Sequence, residues 1–554
     1  MQYPSTADTR LSPAAVLIAV VTASALVVGV LLRLWLIFHR PLGSDEAIVG
    51  LMAGQILHGH FSAFYWGQVY GGGEAYVVAG TFAIFGSSSW ALEGTAVVLS
   101  MAAAVLTWRI VLRLVEDPML AALSGALVWA APLTVLSNST LEYGFRGLTM
   151  ACGLGLLLMA FRILDGARSL VDFALLGLAA GIGWWSSPEI TYFLLPASVL
   201  VAVAAFRAHD QAGVVVRWWP RLGVALVTAS IGALPWVWAN VASGWQSIRD
   251  NSVTVPVGSP DYGGRVRIVI EFMLPMLMGF RRMITGQWLG HVALSLLLLS
   301  LFLAVIALAL ALCLRRGLKG GVVAGAVLVM PFLMSLSPAT FFWRDGRYAV
   351  FLFPLLAMAL AIGASEGSAM VQRRIRAAPT RYWAAGVLSA VTVPCVILCI
   401  LGFGSNMVWI DGTVGFSSAW GNPDGPTRQA ISRLEASRAT VGYADYWVSY
   451  RLDFLSHNAL VFSPAGGEPD RWAALDHTVR SSSHQAWLFV PSTPLSDIQF
   501  SSNLEGPDGL SEGRFLAELS HLGVAYRVLD AGLVQAVIPN RPVTPLEVGL
   551  PEPL

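Results

Sequence analysis

The chain has 554 residues, of which 56% are hydrophobic and only 12% carry a charged side chain. Because a soluble globular protein carries about 25% charged residues, this composition excludes a water-soluble fold and places most of the chain in lipid. The net charge of +1 offers no basic surface to a nucleic acid, so we expect no nucleic-acid partner.

Long apolar runs recur along the first three quarters of the chain. A membrane-spanning helix needs about 20 such residues, and we predict about eleven spans on this criterion. The sequence therefore predicts a polytopic α-helical membrane protein. The predicted spans are 14–38, 88–113, 119–137, 147–163, 172–187, 190–206, 222–240, 291–314, 321–339, 347–364 and 383–404.

Short arginine-rich loops alternate with loops that carry few basic residues. The positive-inside rule then predicts a cytoplasmic N-terminus and an extracytoplasmic C-terminus in the plasma membrane. The basic residues are almost all arginine, as in GC-rich genomes, and we expect a bacterial source. The long outer segments are 39–87, 241–290 and the tail 405–554.

The tail is more charged than the rest of the chain, and its apolar runs shrink to strand length. Their alternation with helical patterns predicts a small α/β domain with a mainly parallel sheet. We therefore divide the chain into a transmembrane domain, 1–410, and an extracytoplasmic domain, 411–554. The strand and helix patterns lie at 445–457, 459–462, 469–480, 486–490 and 511–522.

A cluster of aromatic residues opens the first of those helical patterns. Asp445 precedes Tyr446, Trp447 and Tyr450. One interpretation is an aromatic platform on which an acceptor sugar ring stacks. We favour the other, a helix that Asp445 caps and that packs its aromatic side chains inward.

The first outer loop opens on the acidic pair Asp45-Glu46. Ile48, Met52 and Ile56 follow at helical spacing, which predicts a short amphipathic helix at the membrane interface. Acidic residues in a first turn favour the helix dipole, so capping of the helix, with the preceding serine as the N-cap, is one interpretation of the pair. A functional pair of acids is the other.

A stretch rich in aromatic residues and glycine follows this helix. Tyr and Trp are enriched at membrane interfaces, so an interfacial belt is one interpretation. The other is a substrate-binding loop, in which Glu74 is a second candidate acid because three glycines before it allow close backbone approach. The candidate substrate-binding residues are Tyr65, Trp66, Tyr70 and Glu74.

Several arginines lie on the outer side, against the positive-inside trend. Arg344 and Arg347 lie just outside a predicted span, and Arg146 lies at a similar depth. Arg281 and Arg282 end an apolar segment that is too short to span. These arginines bind either the headgroups of membrane lipids or, as a set of cations, a phosphate group.

This layout resembles the GT-C glycosyltransferases, and family 39 in particular, which includes protein O-mannosyltransferases and the lipid A aminoarabinose transferase. The resemblance rests on Asp45-Glu46 in a long first outer loop, on Gly346-Arg347-Tyr348 at the start of a late span that contains Pro354, and on the many spans before an outer C-terminal domain. The mannosyltransferases differ, since they carry a proline-containing patch where this chain has Gly71-Gly72-Gly73-Glu74.

The resemblance implies transfer of a sugar from a polyprenyl-phosphate donor to a hydroxyl of a glycan, lipid or protein acceptor, with inversion, at the extracytoplasmic face. Asp45 is then the base that accepts the proton of the acceptor, and Glu46 is a supporting acid. Arg344, Arg347 and the other outer arginines bind the donor phosphate.

The need for a metal ion and two alternative functions stay open at this point. Some GT-C enzymes use a divalent cation, which Asp45, Glu46 and a loop acid could bind through oxygen ligands. A non-enzymatic transporter or flippase for lipid-linked sugars, or an envelope assembly protein, are the alternative functions. A transporter is disfavoured because few ionisable residues lie deep within the spans, and Arg33 is expected to reach the interface by snorkelling.

Overall fold

The computed structural model describes residues 13–210, 218–249, 259–283, 285–338, 343, 346–375, 381–410, 424–466, 470–490 and 506–551. The helices of the transmembrane domain are α1 (Pro13–His39), α2 (Ser44–Leu57), α3 (Gly73–Phe85), α4 (Ser89–Val115), α5 (Pro118–Trp129), α6 (Leu133–Asn138), α7 (Arg146–Leu164), α8 (Leu170–Ser186), α9 (Thr191–Asp210), α10 (Trp218–Gly232), α11 (Leu234–Ala242), α12 (Gln246–Arg249), α13 (Tyr262–Ile268), α14 (Leu274–Leu277), α15 (Val292–Cys313), α16 (Leu318–Met334), α17 (Leu352–Ile375) and α18 (Arg381–Ile410).

The protein is a multi-pass membrane protein. Within the described ranges, 7 helices are long and apolar enough to cross a membrane, and the bent pair α10 and α11 makes up to 8. Every predicted span coincides with a helix or a pair of helices, but α5, α8 and α16 have only 12, 17 and 17 residues. The predicted count of eleven is therefore not confirmed, and the orientation stays a prediction.

Glycines let two of the membrane helices approach closely. A Cβ atom at Gly177 or Gly181 of α8 would collide with the backbone carbonyl oxygens of Ala225 and Ala229 in α10. Small residues four apart on one helix face allow this backbone contact, which holds helices together in lipid where no hydrophobic force does. The pairing of α8 with α10 therefore follows from the glycine spacing.

The C-terminal domain contains α19 (Gly425–Ala436), β1 (Val441–Tyr443), α20 (Tyr446–Leu455), β2 (Val461–Ser463), α21 (Ala473–Ser481), β3 (Ala486–Phe489), α22 (Glu512–His521), β4 (Tyr526–Asp530) and β5 (Gln535–Pro539). The sheet order is β2-β1-β3-β5-β4. The predicted helices and strands fall on α20, α21, α22, β2 and β3. The predicted boundary between the domains lies at the end of α18, before residues outside the described ranges.

The prediction of a mainly parallel sheet is wrong for half of the domain. Strand β1 is parallel to β2 and β3, but β5 is antiparallel to β3 and β4. A parallel pair needs a crossover of a dozen or more residues, and only 531–534 connect β4 to β5. Gly532, with φ 89°, makes the tight turn possible, and its amide donates to Oδ1 of Asp530.

The C-terminal domain is docked on the transmembrane domain through polar and apolar contacts. Oδ1 of Asp424 accepts from the amide of Leu42 at 3.1 Å, and Oδ2 accepts from the hydroxyl of Ser89 at 2.8 Å. Helix α20 lies against α2, where the ring of Phe454 occupies the space that a side chain at Gly50 would fill. Docking therefore places α20 beside the helix that carries Asp45.

We expect Gly50→Ala to lower the free energy of unfolding by about 1–3 kcal/mol, because the added methyl group overpacks the contact with Phe454. Gly54→Ala, one turn further along α2, is the matched control. A Cβ atom there meets nothing within 4 Å, so alanine should stabilise the helix by roughly 0.5–1 kcal/mol. Denaturant unfolding in detergent distinguishes the two, and equal stabilities would contradict the packing of α20 on α2.

Candidate active site

The start of α2 separates the two acids of the first loop. The amide of Gly43, which precedes the helix, donates to Oε2 of Glu46 at 3.0 Å. Ser44, the expected N-cap, lies within the helix, and its hydroxyl has no hydrogen-bond partner among the described residues. The capping interpretation therefore applies to Glu46, whereas Asp45 points elsewhere.

Asp45 is held between the two domains. The hydroxyl of Tyr446 in α20 donates to Oδ1 of Asp45 at 2.8 Å. Oδ2 lies 3.5 Å from Nη1 of Arg347, and the Asp45 side chain keeps 23% of its surface exposed. The hydroxyl of Tyr65 donates to the backbone carbonyl of Asp45 at 3.1 Å. The result is a fixed carboxylate with one oxygen beside a cation and enough open surface to receive a proton.

A second arginine lies beside this pair. The guanidinium groups of Arg347 and Arg146 both lie over the ring of Tyr143, at 4.9 and 5.1 Å from its centre. Arg146 also lies over the rings of Phe145 and Tyr348, at 4.5 and 5.0 Å. It is the first residue of α7, and the positive end of the helix dipole adds to its charge.

The Arg146 side chain has unused hydrogen-bond donors. It is only 7% exposed, and its Nε and Nη1 atoms have no hydrogen-bond partner among the described residues. A buried charged donor without a partner costs free energy. A guanidinium in that state can recover the cost by binding an anion, and its planar fork matches a phosphate.

Glu46 belongs to a buried ion network, which corrects the expectation of a supporting catalytic acid. Nη2 of Arg40 lies 3.3 Å from Oε1 of Glu46 and 2.8 Å from Oε1 of Glu93. The amide of Glu142 also donates to Oε1 of Glu46. Burial raises the pKa of Glu46, and Arg40 opposes that rise. Because the Glu46 side chain is only 2% exposed, against 23% for Asp45, and both its oxygens are bound within the protein, it holds the start of α2 in place.

Glu74 is also directed into the protein, and not toward a substrate as expected. It is 1% exposed, and its Oε2 accepts from the amide of Leu148 at 2.9 Å. Burial and the neighbouring Glu74 carboxyl raise the pKa of Glu142 well above its usual range. The bond from Leu148 makes Glu74 a structural residue that ties α3 to the start of α7.

The predicted aromatic residues divide between the site and the domain junction. Tyr65 is 4% exposed and supports Asp45 through the bond described above. Tyr70 packs edge-on against Phe145, with ring centres 5.3 Å apart, beside Arg146. Trp66 stacks on Trp472 of the C-terminal domain at 4.5 Å. Tyr65 and Tyr70 therefore line the site, while Trp66 joins the first loop to the docked domain.

The other predicted arginines are not brought to Asp45. Arg281 lies over the rings of Phe272 and Trp288, at 4.5 and 4.1 Å, in a separate hairpin. The backbone of Arg282 belongs to the same hairpin. In the described part of the chain no hydrogen bond or ion pair joins either side chain to Asp45. Arg344 lies outside the described residues.

The structure does not support metal binding by Asp45 and Glu46. The oxygens of Asp45 face Tyr446 and Arg347, and those of Glu46 face Arg40 and two backbone amides. Across the ranges that the structure describes, no group of three or more His, Cys, Asp and Glu side chains could hold a metal ion. The described residues therefore give no support to a cation held by these two acids, and metal dependence stays open.

The sequence analysis missed two residues that contact the candidate site, Tyr143 and Tyr446. Tyr143 supports both arginines, and its one available signal was its place in the loop just before Arg146. The sequence predicts that Asp445 caps a helix and that Tyr446 packs inward. Both are confirmed, because Oδ1 of Asp445 accepts from the amide of Trp447 at 2.8 Å and Tyr446 is 6% exposed. Its hydroxyl nevertheless reaches Asp45 across the domain boundary, a contact between residues far apart in sequence that no local pattern shows.

Only the comparison with solved structures finds proteins similar to this chain. No protein-family model and no curated protein matches the chain. The crystal structure of ArnT from Cupriavidus metallidurans in the apo state matches with a TM-score of 0.58 and 12% identity, covering 96% of this chain and 98% of that one. The same protein bound to undecaprenyl phosphate matches with a TM-score of 0.56 and 13% identity, covering 95% and 98%.

An oligosaccharyltransferase of Archaeoglobus fulgidus shows a lower TM-score of 0.47 at 13% identity and covers 85% of this chain and 69% of that one. The fold assignment rests on ArnT, a lipid A aminoarabinose transferase of the GT-C superfamily. The match covers the transmembrane domain and the C-terminal sheet domain together. This chain is therefore a multi-pass membrane protein whose fold is similar to that of ArnT across both domains, as the resemblance of its sequence predicted.

Proposed function

We propose that this protein is an integral membrane glycosyltransferase that takes a sugar from a polyprenyl-phosphate donor. The acceptor is a hydroxyl group of a glycan, lipid or protein of the cell envelope, at the extracytoplasmic face. The observation that carries the proposal is the pairing of Asp45 with Arg347, beside the buried Arg146 with its unused donors. The undecaprenyl phosphate bound to ArnT supports this class of donor.

The chemistry is a single displacement at the anomeric carbon. The acceptor oxygen forms a bond to that carbon from the side opposite the phosphate, and the acceptor proton passes to the carboxylate of Asp45. The bond between the carbon and the phosphate oxygen breaks, and the electron pair leaves with the polyprenyl phosphate. Arg347 and Arg146 hold the negative charge that develops there. Attack from the opposite side inverts the configuration of the sugar.

The charged residues inside the spans favour the enzyme over a transporter. Arg33 of α1 is 1% exposed and donates to the backbone carbonyls of Gly29 and Trp129 and to the hydroxyl of Ser139, so the expectation that it snorkels to the interface is wrong. Glu93 of α4 pairs with Arg40 in the buried network. These two charges are satisfied by partners inside the protein, whereas a transport path needs ionisable groups that the solute can reach.

Incubation of membranes that contain the protein with a panel of labelled polyprenyl-phosphate sugars tests the proposal. We expect label to move from at least one donor to an envelope acceptor, with release of free polyprenyl phosphate. Membranes that lack the protein are the control. If the donors stay intact with every sugar in the presence of an envelope extract, the proposed activity is wrong.

A further inference from the structure

The contact between Tyr446 and Asp45 belongs to a chain of hydrogen bonds with one possible direction. Nε of Arg471 donates to the hydroxyl of Tyr446 at 3.4 Å, and that hydroxyl donates to Oδ1 of Asp45 at 2.8 Å. A guanidinium can only donate and a carboxylate can only accept. The phenol therefore receives from Arg471 and gives its single proton to Asp45.

The C-terminal domain holds this chain in place. Tyr446 is 6% exposed, and its ring packs edge-on against the rings of Trp447 and Tyr450, with centres 5.0 and 5.5 Å away. Nη1 of Arg471 also donates to the backbone carbonyl of Gly67 in the first loop, at 3.1 Å. The hydroxyl is thus fixed from both sides of the domain boundary.

This arrangement sets the orientation of the Asp45 carboxylate. With Oδ1 bound by Tyr446, Oδ2 is the oxygen that faces Arg347, at 3.5 Å. Without the phenol the carboxylate could turn to pair with the guanidinium through both oxygens, as carboxylates do with arginine. Such a pair directs both oxygens to the cation, whereas the bond from Tyr446 leaves only Oδ2 beside it.

We propose that Tyr446 is a positioning residue for Asp45, so that docking of the C-terminal domain completes the catalytic site, an inference that rests on the proposed role of Asp45 as the base. It assigns to the domain a part in the reaction that no local sequence pattern revealed. Arg471 contributes indirectly, because it donates to the phenol and so orients it.

Tyr446→Phe tests the inference because it removes one oxygen atom and keeps the packed ring. We expect kcat to fall by about 10- to 100-fold, the usual worth of a hydrogen bond to a charged group. KM for the donor should change by less than about threefold, because both arginines stay in place.

Tyr443→Phe is the matched control in the same domain. Tyr443 is 1% exposed and packs against Trp487, with ring centres 4.7 Å apart, and no hydrogen bond joins it to Asp45 among the described residues, so kcat and KM should stay at wild-type values. Arg471→Gln, which removes the donor to the phenol, should lower kcat in the same direction and by less. It carries the test if Tyr446→Phe does not fold.

The outcomes separate this inference from the proposed function. If Asp45→Asn is inactive while Tyr446→Phe, or Arg471→Gln in its place, keeps the wild-type kcat, Tyr446 has no positioning role and the glycosyltransferase proposal stands. If Asp45→Asn transfers sugar at the wild-type rate, Asp45 is not the base and the inference fails with it, while the glycosyltransferase proposal stands. If the wild type transfers no sugar, the proposed function itself is wrong. A fall in kcat with an unchanged donor KM, seen in Tyr446→Phe and not in Tyr443→Phe, supports the inference.

Discussion

Asp45→Asn is expected to lower the rate of sugar transfer by about 10²- to 10⁴-fold, the usual contribution of a general base. Asparagine has the shape of aspartate and can still accept the hydrogen bond from Tyr446, which is 2.8 Å from Oδ1. It cannot take up the proton of the acceptor. The variant should therefore fold like the wild type, and the initial rate with a labelled polyprenyl-phosphate sugar measures the loss.

Asp530→Asn is the matched control for that experiment. Asp530 is an exposed residue at the end of β4, far along the chain from the first loop, and the same change there should leave the rate unchanged. Thermal unfolding of both variants in detergent shows whether either change affects folding. If Asp45→Asn transfers sugar at the wild-type rate, Asp45 is not the catalytic base.

Arg146→Met is expected to raise KM for the donor by about 10- to 100-fold, because it removes a charge-assisted contact to the phosphate. The rate should fall too, since the leaving group loses part of its stabilisation. The same change should leave the free energy of unfolding unchanged or raise it, because a buried guanidinium with two unpaired nitrogen atoms is costly and an apolar chain of similar length is not. Donor kinetics and denaturant unfolding test the two effects.

Arg146→Lys separates charge from geometry. Lysine keeps the charge but loses the planar fork, so its donor KM should lie between those of the wild type and Arg146→Met. Arg527→Met, on an exposed strand residue that donates to the backbone carbonyl of Ser437, is the control for loss of an arginine. A donor KM that stays at the wild-type value in Arg146→Met, together with lower stability, would identify Arg146 as a structural residue.

The membrane helices and the short helix of the first loop could be predicted because each depends on a local pattern, whereas the role of Asp45 as the base came from the family resemblance and stays a prediction. Apolar length locates the helices of the transmembrane domain, and Asp45-Glu46 at the start of a short helix marks the first loop. The different surroundings of Asp45 and Glu46 could not be predicted from the sequence. They depend on Arg40 and Glu93, which meet Glu46 in a buried network, and on Arg347 and Tyr446, which meet Asp45 from distant parts of the chain.

The grouping of the arginines also could not be predicted from the sequence. The positive-inside rule marked the outer arginines as unusual but could not rank them, because depth in the membrane does not tell which side chains converge. The structure brings Arg146 and Arg347 to the ring of Tyr143, while Arg281 packs on Trp288 in another hairpin. The β4–β5 hairpin was missed for a related reason, since strand–helix alternation suggested crossovers where a short turn joins the strands.

A structure of the protein with a bound polyprenyl phosphate tests the central claim most directly. The phosphate is expected within hydrogen-bonding distance, about 3 Å, of the guanidinium groups of both Arg146 and Arg347, with the carboxylate of Asp45 facing the position of the sugar. A phosphate bound at Arg281 and Arg282, away from Asp45, would contradict the assignment of this site.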